Sequence, residues 1–193
     1  EEELNRMVAR AAKNPNNTPK FESAAQKPMR PEDDAKKLVT AQNPNSMLLC
    51  QLALADSEVL FWLRETACEE ILSEVPGTEL LGLLWRSRYD PSNEVSRTTF
   101  MSGLERQLEA AFSMLLARKR PLGDLSYAMQ ALDALNVTRL QNLLQRTKGR
   151  LRLQNISSKE MEDLQHKVME LNTHLKESLD RLRSPQNSRP LSS

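Results

Sequence analysis

Residues 152–179 read "RLQNISSKEMEDLQHKVMELNTHLKESL". Ser157 and Glu160 form the S-x-x-E pattern that opens a helix, because the serine hydroxyl can accept from the backbone N–H three residues on. Met161, Leu164, Val168, Leu171 and Leu175 then recur at alternating steps of three and four, and Leu182 follows seven residues on, in the same register. That spacing makes a narrow apolar seam, wide enough for one neighbouring helix and no more. The opposite face is polar. A helix that only closed a core would have no need of such a face; one that docks onto a partner would.

The neighbour lies just upstream. From Asp124 to about Leu153 the one breaker is Gly149, and apolar residues recur at Leu125, Met129, Leu132, Val137, Leu140, Leu144 and Leu151. At ~1.5 Å per residue such a helix is roughly 40–45 Å long. A bundle of ordinary helices cannot cover that length, so one end projects. "NISS" turns the chain back. The expectation is an antiparallel helical hairpin over 137–183, standing off a helical bundle over 44–136, with a disordered tail over 184–193.

Composition agrees with an all-α chain. The 193 residues hold few glycines (5) and few aromatics (4%), while Leu, Ala, Glu, Gln, Arg and Lys abound. Within 44–136, Asn43-Pro44 starts the short apolar helix "SMLLCQLALA", expected at the buried centre. Asp56 and Ser57 cap "EVLFWLRETACEEIL", read as one helix with Val59, Leu60, Trp62 and Leu63 inward and Ile71 and Leu72 later. Pro76-Gly77 breaks the chain and Thr78 caps "ELLGLLWRSR". After the loop "YDPSNEVS", a segment carrying Phe100, Leu104, Leu108, Ala111, Phe112, Leu115 and Leu116 is divided at Gly103.

The start of the chain has another texture. Leu4, Met7, Val8 and Ala11 mark a helical face in residues 1–13. Five of the ten prolines (Pro15, Pro19, Pro28, Pro31 and Pro44) then fall in 14–44, among few large apolar residues. Residues 14–43 read as a flexible linker, too polar to offset its ordering entropy, spanning roughly 30 Å. Because the chain begins with Glu1, it is expected to be part of a longer protein.

Function classes narrow by chemistry. The chain has 27 basic and 26 acidic residues, a net charge of +1, which gives no general footprint for nucleic acid. Apolar runs fall short of the roughly 18 residues a membrane helix needs. Cys50 and Cys68 have no Cys or His at ligand spacing, and Cys50 reads as a small core residue in a chain suited to a reducing cytoplasm. His166, Glu170 and His174 share a helix face, but i to i+8 exceeds two turns and no HExxH occurs. Glu69-Glu70 and Glu160, Glu162 and Asp163 sit on polar faces that imply no pocket. Arg118-Lys119-Arg120 and Arg146, Lys148, Arg150 and Arg152 are locally basic, solvated or turned to an acidic partner. No cofactor, metal or catalytic residue is expected.

The order of these segments resembles the C-terminal domain of bacterial DNA primase (DnaG). "GRLRLQNISSKEMEDLQHKVMELNTHLKE" (149–177) looks like the end of primases, where a long helix turns through an Ile-Ser step into the last helix. Ile156, Ser157, Glu160, Leu164, Glu170 and Leu171 fall where that family often has residues of the same kind. "LLCQLALADSEVLFWL" (48–63) and "PGTELLGLLW" (76–85) look like the first helices of its bundle, and the last-helix segment looks like primases of a Verrucomicrobia-like lineage. The resemblance covers 44–183, and residues 1–13 would be the last helix of an upstream catalytic core.

What the resemblance implies is binding, not catalysis. In that family the domain contacts the amino-terminal domains of the replicative helicase (DnaB), brings primase to the replication fork and stimulates the helicase. The hairpin makes much of the contact, while the zinc-binding and primer-synthesising domains lie upstream. Carried over by region, the expected contacts are Arg150, Arg152, Leu153, Ile156, Lys159, His166, Met169 and Thr173. Met169 and Thr173 depart from the long polar residues usual on that face. An adaptor that dimerises through its terminal hairpin is the alternative; a helical nucleic-acid binder is disfavoured by the balanced charge.

Overall fold

The computed structural model describes residues 31–66, 68–118, 124–153 and 156–183. Segments 1–13, 14–30 and 184–193 lie outside them, as do Lys119 and Arg120. The described residues form α-helices and no strand: α1 Pro31–Ala41, α2 Pro44–Ala55, α3 Ser57–Glu65, α4 Glu69–Glu74, α5 Glu79–Arg86, α6 Glu94–Ser102, α7 Arg106–Ala117, α8 Leu125–Leu151 and α9 Ser158–Arg183. The all-α expectation therefore holds. None of these helices is long and apolar enough to cross a membrane.

Helix α2 is the hub. It packs on α3, α5, α7 and α8. It buries Leu49, Cys50, Leu52, Ala53 and Leu54, as its nearly all-round apolar sequence requires. Asn43 caps it by accepting from the Asn45 N–H at 3.0 Å, with Pro44 opening the first turn. Asp56 ends α2 and caps α3, its Oδ1 accepting from Glu58 N–H at 2.9 Å. Aromatic packing closes the side toward α6 and α7. Phe100 sits edge-on between Tyr89 and Phe112, with ring centroids 5.2 and 5.1 Å away. The buried Tyr89 hydroxyl donates to the Leu54 carbonyl at 2.8 Å.

Three local expectations are corrected. The linker read over 14–43 contains α1, whose Ala35 and Val39 are fully buried in the bundle core against α7. Two small apolar residues four apart suffice for that contact, and Glu32, Asp33 and Asp34 suit the positive end of the helix. Gln42 then ties α1 down: it donates to Glu79 Oε2 at 3.0 Å and accepts from the Leu80 N–H at 3.3 Å. Next, "EVLFWLRETACEEIL" is two helices, not one. Thr66 ends α3, its N–H and hydroxyl both donating to the Trp62 carbonyl, and the chain bends so that Cys68, Ile71 and Leu72 reach the core. Thr78 stands at the N-cap of α5 and its carbonyl accepts from the Gly82 N–H, but its side chain makes no capping bond there. Its hydroxyl donates back to the carbonyls of Leu72 and Val75, at 2.7 and 2.9 Å, and closes the end of α4.

Gly77 is needed where it stands. Its φ is +77°, and a Cβ there would lie 2.5 Å from the Asn43 backbone nitrogen. The α1–α2 junction crosses directly over this turn, with the Asn43 N–H donating to the Gly77 carbonyl at 2.8 Å.

The long helix α8 serves two neighbourhoods. Its first half enters the bundle core through Ala128, Ala131, Leu132 and Leu135, the alanines allowing close approach. Its second half packs on α9 around Leu140, Leu144 and Leu171, flanked by Leu143, Val168 and Leu175. The pairing is antiparallel. Asp133 meets Arg181 at 3.5 Å, Asn136 meets Ser178 at 3.4 Å and Arg150 meets Glu160 at 2.6 Å. Ser178 fills the seam position between Leu175 and Leu182 and is buried.

Candidate functional site

Helix α9 starts as its sequence dictates, then departs from it. The Glu160 N–H donates to Ser157 Oγ at 3.2 Å. The Glu160 carboxylate, however, reaches across the turn to Arg150 of α8. An interhelical ion pair thus replaces the returning half of a capping box and pins the two helices together at the tip.

The expected contact residues fall into two groups. Arg150, Arg152, Leu153 and Lys159 are exposed at the tip, with Ile156 half-buried beneath them. His166, Met169 and Thr173 are exposed along the outer face of α9, turned away from the Leu164 and Leu171 seam. Within the outer group His166 Nδ1 lies 3.3 Å from Glu170, and the Thr173 hydroxyl donates to the Met169 carbonyl at 3.1 Å. Thr173 therefore spends its donor on its own helix, whereas Met169, 62% exposed, presents a bare thioether to solvent.

Met161 was expected in the seam and is not there: it is 40% exposed. Helix α8 ends at Leu151, level with the first turn of α9. Side chains lean toward a helix's N-terminus, so Met161 leans out over the tip, past the last cover α8 provides. It joins Leu153, 60% exposed, as a second apolar group there.

Charge at the tip is mixed. Residues 146–159 hold Arg146, Lys148, Arg150, Arg152 and Lys159 and no acid, and Glu160, Glu162 and Asp163 follow at once in the first turns of α9. Beside the tip, a shallow open depression of about 380 Å³ is lined by Gln141, Asn142, Leu144, Gln145 and Lys148. No cluster of three or more His, Cys, Asp or Glu close enough to hold a metal occurs among the described residues. The cysteines are core groups, and burial pushes the Cys50 thiol up to about 12 and that of Cys68 to about 11.

At its base the hairpin is fastened by ions. Arg139 of α8 holds both Glu70 and Glu74 of α4. Burial raises the Asp133 carboxyl above its ordinary value, and Arg181 opposes that shift. Sequence reasoning missed Arg139, because its carboxylates belong to a helix far upstream and no local pattern joins them.

The arrangement defines a helical bundle that carries an antiparallel hairpin whose tip mixes charged and exposed apolar groups. No protein-family model, curated protein or solved structure matches the chain.

Proposed function

We propose that this chain is the helicase-binding C-terminal region of a bacterial DNA primase. It binds the amino-terminal domains of the replicative helicase in the cytoplasm and brings primase to the fork, without catalysis of its own. The observation that carries this reading is how the hairpin spends its surface. One face of α9 is consumed by α8, while Leu153, Met161 and Met169 are left bare on the hairpin, as Tyr127 is near the start of α8. The family resemblance over 44–183 supplies the partner. Exposed apolar groups on a rigid two-helix arm suit protein contact better than small-molecule binding, which calls for a concave apolar pocket.

The test is sedimentation of the purified chain with and without the replicative helicase of the same organism. Comigration with the hexamer supports the reading. A stable dimer that ignores the helicase would instead favour an adaptor joined through its hairpin.

A further inference from the structure

We propose that the polar layer at the base of the hairpin, Asp133 and Asn136 of α8 against Ser178 and Arg181 of α9, is a register key. It admits one alignment of the two helices and excludes those one heptad away. The key belongs to the arm itself and holds whichever partner the arm meets.

The apolar part of the seam cannot choose an alignment. Leu164, Val168, Leu171, Leu175 and Leu182 follow a seven-residue repeat, and Val168, Leu171 and Leu175 pack with Leu140, Leu143 and Leu144 of α8. Such a repeat meets itself again seven residues on, about 10 Å along the helix. In a hairpin that slip moves the turn by half as much, about one helical turn. Gly149 lies in the last turn of α8, and glycine holds a helix more weakly than any residue but proline, so that turn is able to re-form.

Ser178 keeps the spacing of the repeat and changes its chemistry. It is 2% exposed, less than Leu164 or Leu171, each at 7%. Its Oγ accepts from Asn136 Nδ2 of α8 at 3.4 Å and from a terminal nitrogen of Arg181 at 3.1 Å, and Arg181 Nε lies 3.5 Å from Asp133. These bonds are long, and an apolar pair of the same size would join the helices about as well. What the layer supplies is discrimination. A slip one way puts Leu171 opposite Asn136; a slip the other way puts Ser178 opposite Leu143. Each strands a polar group of the layer among apolar side chains, a cost the native alignment avoids. At the other end of the arm the Arg150–Glu160 pair, with side chains 62% and 38% exposed, is solvated and discriminates less.

The experiment reads alignment directly. The full 193-residue chain takes spin labels on cysteines placed by Lys148→Cys and Asp180→Cys, both exposed positions. Dilution with unlabelled chain leaves only distances within one copy. Cys50 and Cys68 are buried, and a chain without the new cysteines measures any label they take up. Double electron–electron resonance should give one distance for the parent layer. Asn136→Leu with Ser178→Ala makes the layer apolar at similar volume, and Asn136→Ala with Ser178→Ala does so without added bulk. Both should show a second distance, displaced by roughly 10 Å, in about a tenth or more of the chains. Leu144→Ala loosens the seam and spares the layer, and should keep the single distance. Circular dichroism melts establish which variants fold. A single distance in an apolar-layer variant that folds overturns the key, as do two distances with the parent layer. A displaced distance in Leu144→Ala overturns it too, by tracing slippage to general loosening. So does unfolding of both apolar-layer variants, since the layer would then carry stability and not alignment.

Discussion

Arg139, in the middle of α8, donates through Nε to Glu74 of α4 at 2.7 Å and through a terminal nitrogen to Glu70 one turn earlier. It sits where α8 passes from the bundle core to the hairpin seam, between Leu135 and Leu140. A cation held by two carboxylates from a short helix therefore adds to the core packing of Ala128, Ala131, Leu132 and Leu135 in seating α8 on the bundle. The Arg139 side chain is 18% exposed and that of Glu74 is 35% exposed. Arg139→Ala is expected to cost about 1–3 kcal/mol, since it strands a half-buried carboxylate. Urea melts measure that cost. Hydrogen exchange should show faster opening of α4 and the middle of α8, with the α8–α9 tip unaffected.

Helix α1 changes what truncation should do. A chain starting at residue 44 loses the burial of Ala35 and Val39 and the Gln42 bridge to Glu79 and Leu80. Burying one valine contributes about 1.5–3 kcal/mol and the hydrogen bonds about 1 more. Thermal melts of chains starting at 31 and at 44 should differ by several degrees; equal melting points would mean that α1 rests on the bundle without stabilising it. Gly77→Ala attacks the same junction from below. Positive φ costs about 1–2 kcal/mol for an L-residue, and the new Cβ meets backbone, which cannot swing aside.

The thiols supply a chemical check on the core. Cys50 and Cys68 are 1% and 0% exposed, and their raised values leave almost no thiolate near neutrality. The native chain at pH 8 should react with an aromatic disulfide reagent orders of magnitude more slowly than the chain in urea, where both thiols become available. Rapid native labelling of either would show that α2 or the α3–α4 bend opens locally.

What sequence disclosed of this fold follows how local each signal is. Ser157, Glu160 and the Leu164, Val168, Leu171 and Leu175 spacing specify α9 within one stretch, and Asp124 marks the start of α8 equally plainly. Helix α1 escaped because two small residues, Ala35 and Val39, carry its contact among prolines and charges. Arg139 escaped because an ion pair between distant helices leaves no periodicity. Ser178 escaped because a seam is sought in leucines, and there a serine brings α9 close enough for Asn136 to reach it. At the tip, basic sequence and bare Leu153 were evident, whereas the exposure of Met161 depends on where α8 stops.

The seam and the outer face of α9 should part company under mutation. Leu171 is buried against Leu140 and Leu144. Leu171→Ala removes methyl groups from that contact and is expected to cost about 2–4 kcal/mol, at the lower end because two helices enclose less than a full core. Helicase binding would fall with it as the arm frays. Met169 lies on the same helix, 62% exposed, so Met169→Glu should change stability by no more than about 0.5 kcal/mol. Should this face meet the helicase, the new carboxylate is buried without a partner, and binding should weaken at least ~10-fold, about 1.4 kcal/mol. Calorimetric titration with the helicase, alongside melts of both variants, separates the two effects. A Met169→Glu chain that folds and binds like the parent would remove the outer face from the contact, leaving the tip, with Leu153 and Met161, to carry it.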